Sequence, residues 1–251
     1  MQPMNGKPSS GSNVSQATED KLSNRAKRKI EQEREQQRRR IFAVVGGVLA
    51  IAIVAVVVLL VMRKPSAPAV AIAPEIDTAI ATDRMVMGNP DAPVTLVEWG
   101  DYSCPGCGNF ALSVEPVLID AFVKTGQVKF EFRPFPLDIH GNEAVLAAQA
   151  ATCAADQGKF WRFHDTLFRN QKSEEGFSEP ALTAMATQLG LDVPAFSDCL
   201  NKQETVDSVS TSVQAGKDAG VDSTPTFFIN GTKVDWQGWD TLKQDIEKAL
   251  K

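Results

Sequence analysis

Residues 94–110 read VTLVEWGDYSCPGCGNF, and the two cysteines near the end of this stretch decide how the rest of the chain is read. Cys104 and Cys107 are separated only by Pro105 and Gly106. VTLVEW (94–99) is a compact apolar run and reads as a buried strand. The segment after it, GNFALSVEPVLIDAFVKTG, has helical spacing, with Phe110, Val114, Val117, Leu118 and Phe122 near one face. Pro116 predicts a kink in that helix and Gly126 its end. VKFEFRPFPL (128–137) alternates apolar and charged residues and reads as a second strand, so the three segments form a βαβ unit.

A Cys-x-x-Cys pair at such a junction serves zinc, a structural staple or redox chemistry. Zinc needs more ligands at matching spacing. Cys153 and Cys199 are isolated, and the two histidines, His140 and His164, stand far apart with no partner visible in the sequence. No metal ligands are therefore assigned, and both histidines read as surface or satisfied core residues. A disulfide across two residues closes a tiny loop and restrains little of the unfolded chain. The redox reading fits the position: Cys104 opens a helix, where free amides and the macrodipole favour a thiolate. Such settings lower a thiol pKa to roughly 3.5–7.5, against about 8.5 for a free cysteine. Pro105 in the first turn costs no hydrogen bond. Cys107, one turn on and deeper, suits the resolving role.

The compartment agrees with that choice. Residues 1–40 hold ten Lys/Arg against five Asp/Glu, so the basic charge sits in the tail and the rest of the chain is acidic. This argues against a nucleic-acid partner, which needs a basic folded surface. Residues 1–20 are polar and read as disordered, and residues 21–40 as a solvated helix. From Ile41 to Met62 run 22 uncharged, mostly branched or small residues. As a helix they span about 33 Å, the thickness of a bilayer core. Arg38, Arg39 and Arg40 precede the run and only Arg63 and Lys64 follow closely, so the tail is expected in the cytoplasm and the rest outside. The rival is a cleaved signal ending at Ala71-Ile72-Ala73, for which the tail and the apolar run are long. Residues 63–80 read as an extended Pro/Ala linker, and 81–251 as the folded domain.

Within that domain, residues 142–219 divide into five helical segments, with Ser178-x-Pro180 and Asp192-x-Pro194 as cap-and-first-turn signals. TFFI (226–229), Asn230-Gly231 and TKV (232–234) form a hairpin signal. WDTLKQDIEKALK (239–251) closes as an amphipathic helix.

VEWGDYSCPGCGNF, the later STPTFFING and this order of elements resemble the DsbA-like thiol–disulfide oxidoreductases of the thioredoxin superfamily, over about residues 81–251. The resemblance implies an α/β thioredoxin fold with an inserted all-helical domain, here about 138–219, behind a single transmembrane helix. It implies a cis Thr224–Pro225 bond facing the cysteine pair, and substrate contacts at Pro105, Gly106, Thr224 and Pro225. It also implies that Glu98 lies buried near the resolving thiol and moves its proton. Trp99 and Tyr102 are candidates for a peptide groove or for the core. No cofactor is called for. The implied partners are reduced or misoxidised exported proteins and a membrane redox protein. The departure is at Gly106, where the best-known oxidase of this type has a histidine; without that group, a less oxidising pair is expected. A reductase or isomerase, or a non-catalytic membrane-tethered binding or metal-delivery module, is the alternative. Since Cys104 and Cys107 pair with each other, Cys153 and Cys199 are left to form a structural disulfide in an oxidising compartment. Closing that loop of about 46 residues is worth about 4 kcal/mol in the chain-entropy account.

Overall fold

The computed structural model describes residues 12–62, 68–75, 77–173 and 176–251, with side chains from residue 28 onward except those of 59–62. It divides into two compact units, Met1–Ser66 and Ala67–Lys251. The first is one helix, α1 (Ser12–Met62). Of the segment expected to be disordered, residues 12–20 are instead helical; residues 1–11 lie outside the described residues, as do Arg63 and Lys64. Lys, Arg, Glu and Gln are good helix formers, and they carry the helix back from the apolar run. Over Arg28–Val58, α1 is long and apolar enough to cross a membrane.

The second unit is built on a six-stranded sheet of order β1-β2-β4-β3-β5-β6. The strands are β1 (Thr82–Asp83), β2 (Val86–Met87), β3 (Val94–Gly100), β4 (Val128–Pro134), β5 (Thr226–Ile229) and β6 (Thr232–Val234). β3 and β4 are parallel and paired from Val94–Val128 to Gly100–Pro134; every other pairing is antiparallel. A parallel pair needs a crossover, and α2 (Pro105–Val123) supplies it. The helix is interrupted by two five-residue wide turns, Phe110–Val114 and Ile119–Val123, flanking Glu115–Leu118. Pro116 offers no N–H to the carbonyl of Leu112, and the ladder adapts by pairing the Glu115 N–H with the Phe110 carbonyl.

Between β4 and β5 lie a short 3-10 turn, Asp138–His140, and five helices. These are α3 (Gly141–Asp156), α4 (Phe160–Asn170), α5 (Glu179–Gln188), α6 (Val193–Leu200) and α7 (Gln203–Asp218), and α8 (Trp239–Ala249) follows the hairpin. Asp192 caps α6 by accepting from the Ala195 N–H at 3.0 Å, whereas Ser178 stands at the start of α5 without a side-chain cap bond. Side chains alternate across β3. Val94 and Leu96 face the main core with Phe110, Phe130, Phe132 and Phe227, while Val97 and Trp99 face a smaller core with Phe135 and Val221.

Two features depart from the sequence reading. The hairpin β1–β2 was not foreseen; it adds an edge to β4 and is tied down by Trp161, whose indole N–H donates to the Val86 carbonyl at 3.2 Å. The described part of the linker, 68–75 and 77–80, is also not a plain spacer. Ala71 exchanges two hydrogen bonds with the Asn170 amide at 2.9 and 2.8 Å. The Ala73 N–H donates to Thr166 Oγ1 at 3.1 Å, and Arg162 Nε donates to the Ala73 carbonyl at 3.2 Å. Arg162, Thr166 and Asn170 follow the four-residue repeat of one face of α4, so an extended strap docks along it. The compact unit thus includes residues 71–73, ahead of the domain read from the sequence.

Candidate active site

Cys104 is the residue that precedes the first turn of α2. Its backbone is extended (φ −77°, ψ 121°), and Pro105 occupies the first helical position. The chain arrives there from β3 through a turn fixed by Asp101. The Asp101 carboxylate accepts from the Ser103 N–H at 2.7 Å, from the Leu137 N–H at 2.8 Å and from His140 Nδ1 at 2.7 Å. His140 therefore has a partner, and the buried Asp101 serves the geometry of the turn.

The turn is also held from α4. Gln171, just past its end, donates through Nε2 to the carbonyls of Tyr102 and Cys104 at 2.7 and 2.8 Å. Its amide oxygen lies only 2.4 Å from where a Cβ on Gly108 would stand, so Gly108 is the residue that lets the clamp close. Nothing in the sequence singled out Gln171; it is one polar residue after an amphipathic helix.

The Thr224–Pro225 peptide bond is cis, and it faces the cysteines. The Cys104 thiol donates to the Thr224 carbonyl at 3.2 Å. A Cβ on Gly106 would sit 3.1 Å from Pro225 Cδ and 3.6 Å from Cys104 Sγ, so the small residue permits this close approach. Pro105, Gly106, Thr224 and Pro225 thus meet around one sulfur, although the two segments lie 120 positions apart in the chain.

Both thiols are free in this structure, and their surroundings differ. Cys104 retains 8% exposure and Cys107 none. Hydrogen bonding from the Cys107 thiol draws the Cys104 pKa down to about 5. Burial opposes this, and the Thr224 side chain and the Cys107 and Gly106 backbones assist it. The buried Thr224 hydroxyl has no other partner, so an ionised Cys104 gives it an acceptor. The Cys107 thiol, and not a side chain at position 106, is the leading cause, so the thiolate is favoured without a histidine. Burial pushes the Cys107 thiol well above its ordinary range, reinforced by Cys104 and Glu98, against a backbone N–H from Asp101 at 3.4 Å.

Glu98, on β3, has no exposure and neither carboxylate oxygen has a hydrogen-bond partner. Burial drives its pKa well above the carboxylate range, with the charges of Glu115 and Cys104 adding to it, so its protonated form is favoured. Trp99 and Tyr102 are core residues: Trp99 packs edge-on against Phe135, and the Tyr102 hydroxyl meets His164 Nδ1 at 3.1 Å. Cys153 and Cys199 form a disulfide between α3 and α6.

Chemically, one sulfur that prefers to be ionised beside one that prefers its proton is a pair made for thiol–disulfide exchange. The Thioredoxin family model matches residues 81–248. The Disulfide bond formation protein D of Bacillus subtilis is 31% identical over 172 residues, covering 66% of this chain and 77% of that protein. The crystal structure of oxidised BdbD from Bacillus subtilis superposes with a TM-score of 0.62 at 30% identity, covering 67% of this chain and 93% of that one. A Na(+)/H(+) antiporter, NhaA 3 of Salinispora tropica, is 37% identical over 150 residues, which cover 59% of this chain but only 22% of the antiporter. With fold, thiol pair and relatives in agreement, the chain belongs to the thioredoxin family as a DsbA-like thiol–disulfide oxidoreductase.

Proposed function

We propose that the protein is an oxidase of thiols in exported proteins, tethered by α1 with its catalytic unit outside the cytoplasm. In this reading a substrate thiolate attacks Cys104 Sγ of the oxidised pair. The Cys104–Cys107 bond breaks, and Cys107 leaves as a buried thiolate that takes the proton held by Glu98. A second substrate thiolate attacks the substrate sulfur of the mixed disulfide. The substrate disulfide forms, Cys104 leaves as its thiolate, and the enzyme retains two electrons. A membrane redox protein is the partner that removes them. Thr224 and Pro225 present backbone to the substrate, the proline without an N–H and the threonine with its carbonyl beside the reacting sulfur.

The observation that carries the oxidising direction is the lowered pKa of Cys104. A stabilised thiolate stabilises the reduced form and makes the disulfide the better oxidant. The outward orientation rests on Arg38, Arg39 and Arg40 ahead of the apolar run. The test uses the oxidised full chain in detergent, mixed with a reduced, unfolded protein. Substrate disulfides are expected to form in proportion to enzyme, and alkylation of thiols in intact cells is expected to trap Cys104 and Cys107 mostly oxidised. A pair trapped mostly reduced assigns the reverse direction.

A further inference from the structure

Between α2 and α4, three residues that make no contact with the reacting sulfurs in the exchange steps above come together. Glu115 lies on α2 beside Pro116, and His164 and Asp165 are consecutive on α4. A carboxylate oxygen, a ring nitrogen and a second carboxylate oxygen, one from each, lie within 4.8 Å of one another. Glu115 is 2% exposed and His164 not at all. Glu115 Oε2 and His164 Nε2 face each other at 3.4 Å, and neither has a hydrogen-bond partner. Among the described residues, no lysine or arginine forms an ion pair with any of the three. Arg169 acts on Asp165 only through its charge, without an ion-pair contact, and burying carboxylates without a paired cation is costly. A cation between the three removes that cost.

The imidazole is placed as a ligand would be. Its ring is boxed by Phe132, Phe168 and Trp161, with centroids at 4.6, 4.9 and 5.3 Å. Nδ1 is occupied by the Tyr102 hydroxyl at 3.1 Å. When Nδ1 carries the proton and gives it to that oxygen, Nε2 presents a bare lone pair toward Glu115. Ligating histidines are characteristically anchored in this way through the other ring nitrogen. The separation also fits. Ligands about 2.0–2.1 Å from a tetrahedral ion are about 3.4 Å apart, which is the Nε2–Oε2 distance found here.

We propose that Glu115, His164 and Asp165 form a binding site for one divalent first-row transition ion, Zn²⁺ being the type, with a fourth position left open. An imidazole with two carboxylates suits such an ion better than an all-oxygen cation such as Ca²⁺. Three protein ligands and an open position also match the pattern of non-structural zinc sites. Tyr102 is a positioning residue that fixes the His164 ring. Asp165, the one member with partial exposure, gives the ion its way in. The competing occupant is a proton, with Nε2–H directed at Glu115 and no ion.

The experiment uses the full chain in detergent, stripped with a chelator and with Cys104–Cys107 oxidised so that no thiol competes. Titration with Co²⁺ is expected to give one bound equivalent with the visible d–d absorption of four-coordinate cobalt, displaced by Zn²⁺. Asp165→Asn and Glu115→Gln are each expected to abolish the absorption while thermal unfolding remains cooperative. Tyr102→Phe keeps the ring and removes the hydroxyl, and is expected to weaken binding by about 10–100-fold. Should Glu115→Gln not fold, Asp165→Asn and Tyr102→Phe carry the decision. No stoichiometric uptake by the native chain, or uptake unchanged in Asp165→Asn and Tyr102→Phe, overturns the proposal.

Discussion

The molecule holds two pairs of cysteines, and they make opposite use of the same atom. Cys104 and Cys107 stand three positions apart at the start of a helix, both free, one drawn toward ionisation and the other held from it. Cys153 and Cys199 are 46 positions apart and join two helices of the inserted block, with Cα atoms 5.8 Å apart. The first pair closes almost no loop and contributes little by constraining the unfolded chain; its surroundings give it reactivity. The second closes a long loop among small alanines of α3 and gains its effect from the chain it restrains. Reactivity is therefore a property of the helix start and the cis-proline segment, not of cysteine as such.

The strongest way to break this comparison is to disable each pair in turn. Cys104→Ala is expected to reduce exchange with a reduced peptide to the uncatalysed rate while leaving thermal unfolding of the chain, with Cys153–Cys199 intact, nearly unchanged. The double substitution Cys153→Ala and Cys199→Ala is expected to do the reverse. It should cost about 4 kcal/mol of stability, read by thermal unfolding of the full chain in detergent, with exchange per folded molecule unchanged. Loss of exchange in the folded double variant would show that the two pairs are one system.

A smaller effect sharpens the first pair alone. The folded pKa of Cys104, about 5, lies below the unfolded value near 8.5, so its contribution favours the folded reduced protein. That contribution is fully present above the unfolded value and is lost as pH falls through about 5. The reduced chain is expected to lose its advantage over the oxidised chain across that window. Thiolate absorbance of the reduced chain should titrate near pH 5 and vanish in Cys104→Ala; a midpoint near the free-thiol value contradicts the polarised pair.

Much of this was legible in the sequence because it is local. The apolar run 94–99, the alternation of 128–137, the Asn-Gly hairpin and the Cys-Pro-Gly-Cys junction each announce themselves within a few residues. What was not legible depends on tertiary neighbours. β1 and β2 are two residues each and stand as strands only because β4 offers an edge. The strap at 71–73 has no pattern of its own; its hydrogen bonds come from Thr166 and Asn170. Glu115 reads as a charged position on a helix and His164 as a solitary histidine, and only packing α2 against α4 brings them to 3.4 Å.

The smallest expected effect concerns how the reactive loop is held without a covalent bond. Gln171 does for residues 102–104 what a disulfide does for the inserted block, through two donated hydrogen bonds. Deleting a donor to a buried acceptor costs about 1–3 kcal/mol. Here the Cys104 carbonyl keeps a second partner, the Gly108 N–H at 3.1 Å, so Gln171→Ala is expected at the low end, about 1 kcal/mol. Gln171→Glu is the sharper variant: it keeps the shape but sets an ionised acceptor against two carbonyl acceptors, and should destabilise more than alanine does. It should also raise the Cys104 pKa, because a negative charge beside the loop opposes the thiolate. Thermal unfolding and thiolate absorbance of both variants separate the two effects. If alanine and glutamate behave alike, the donated hydrogen bonds are not what holds the loop, and packing of Gly108 against the Gln171 amide takes their place.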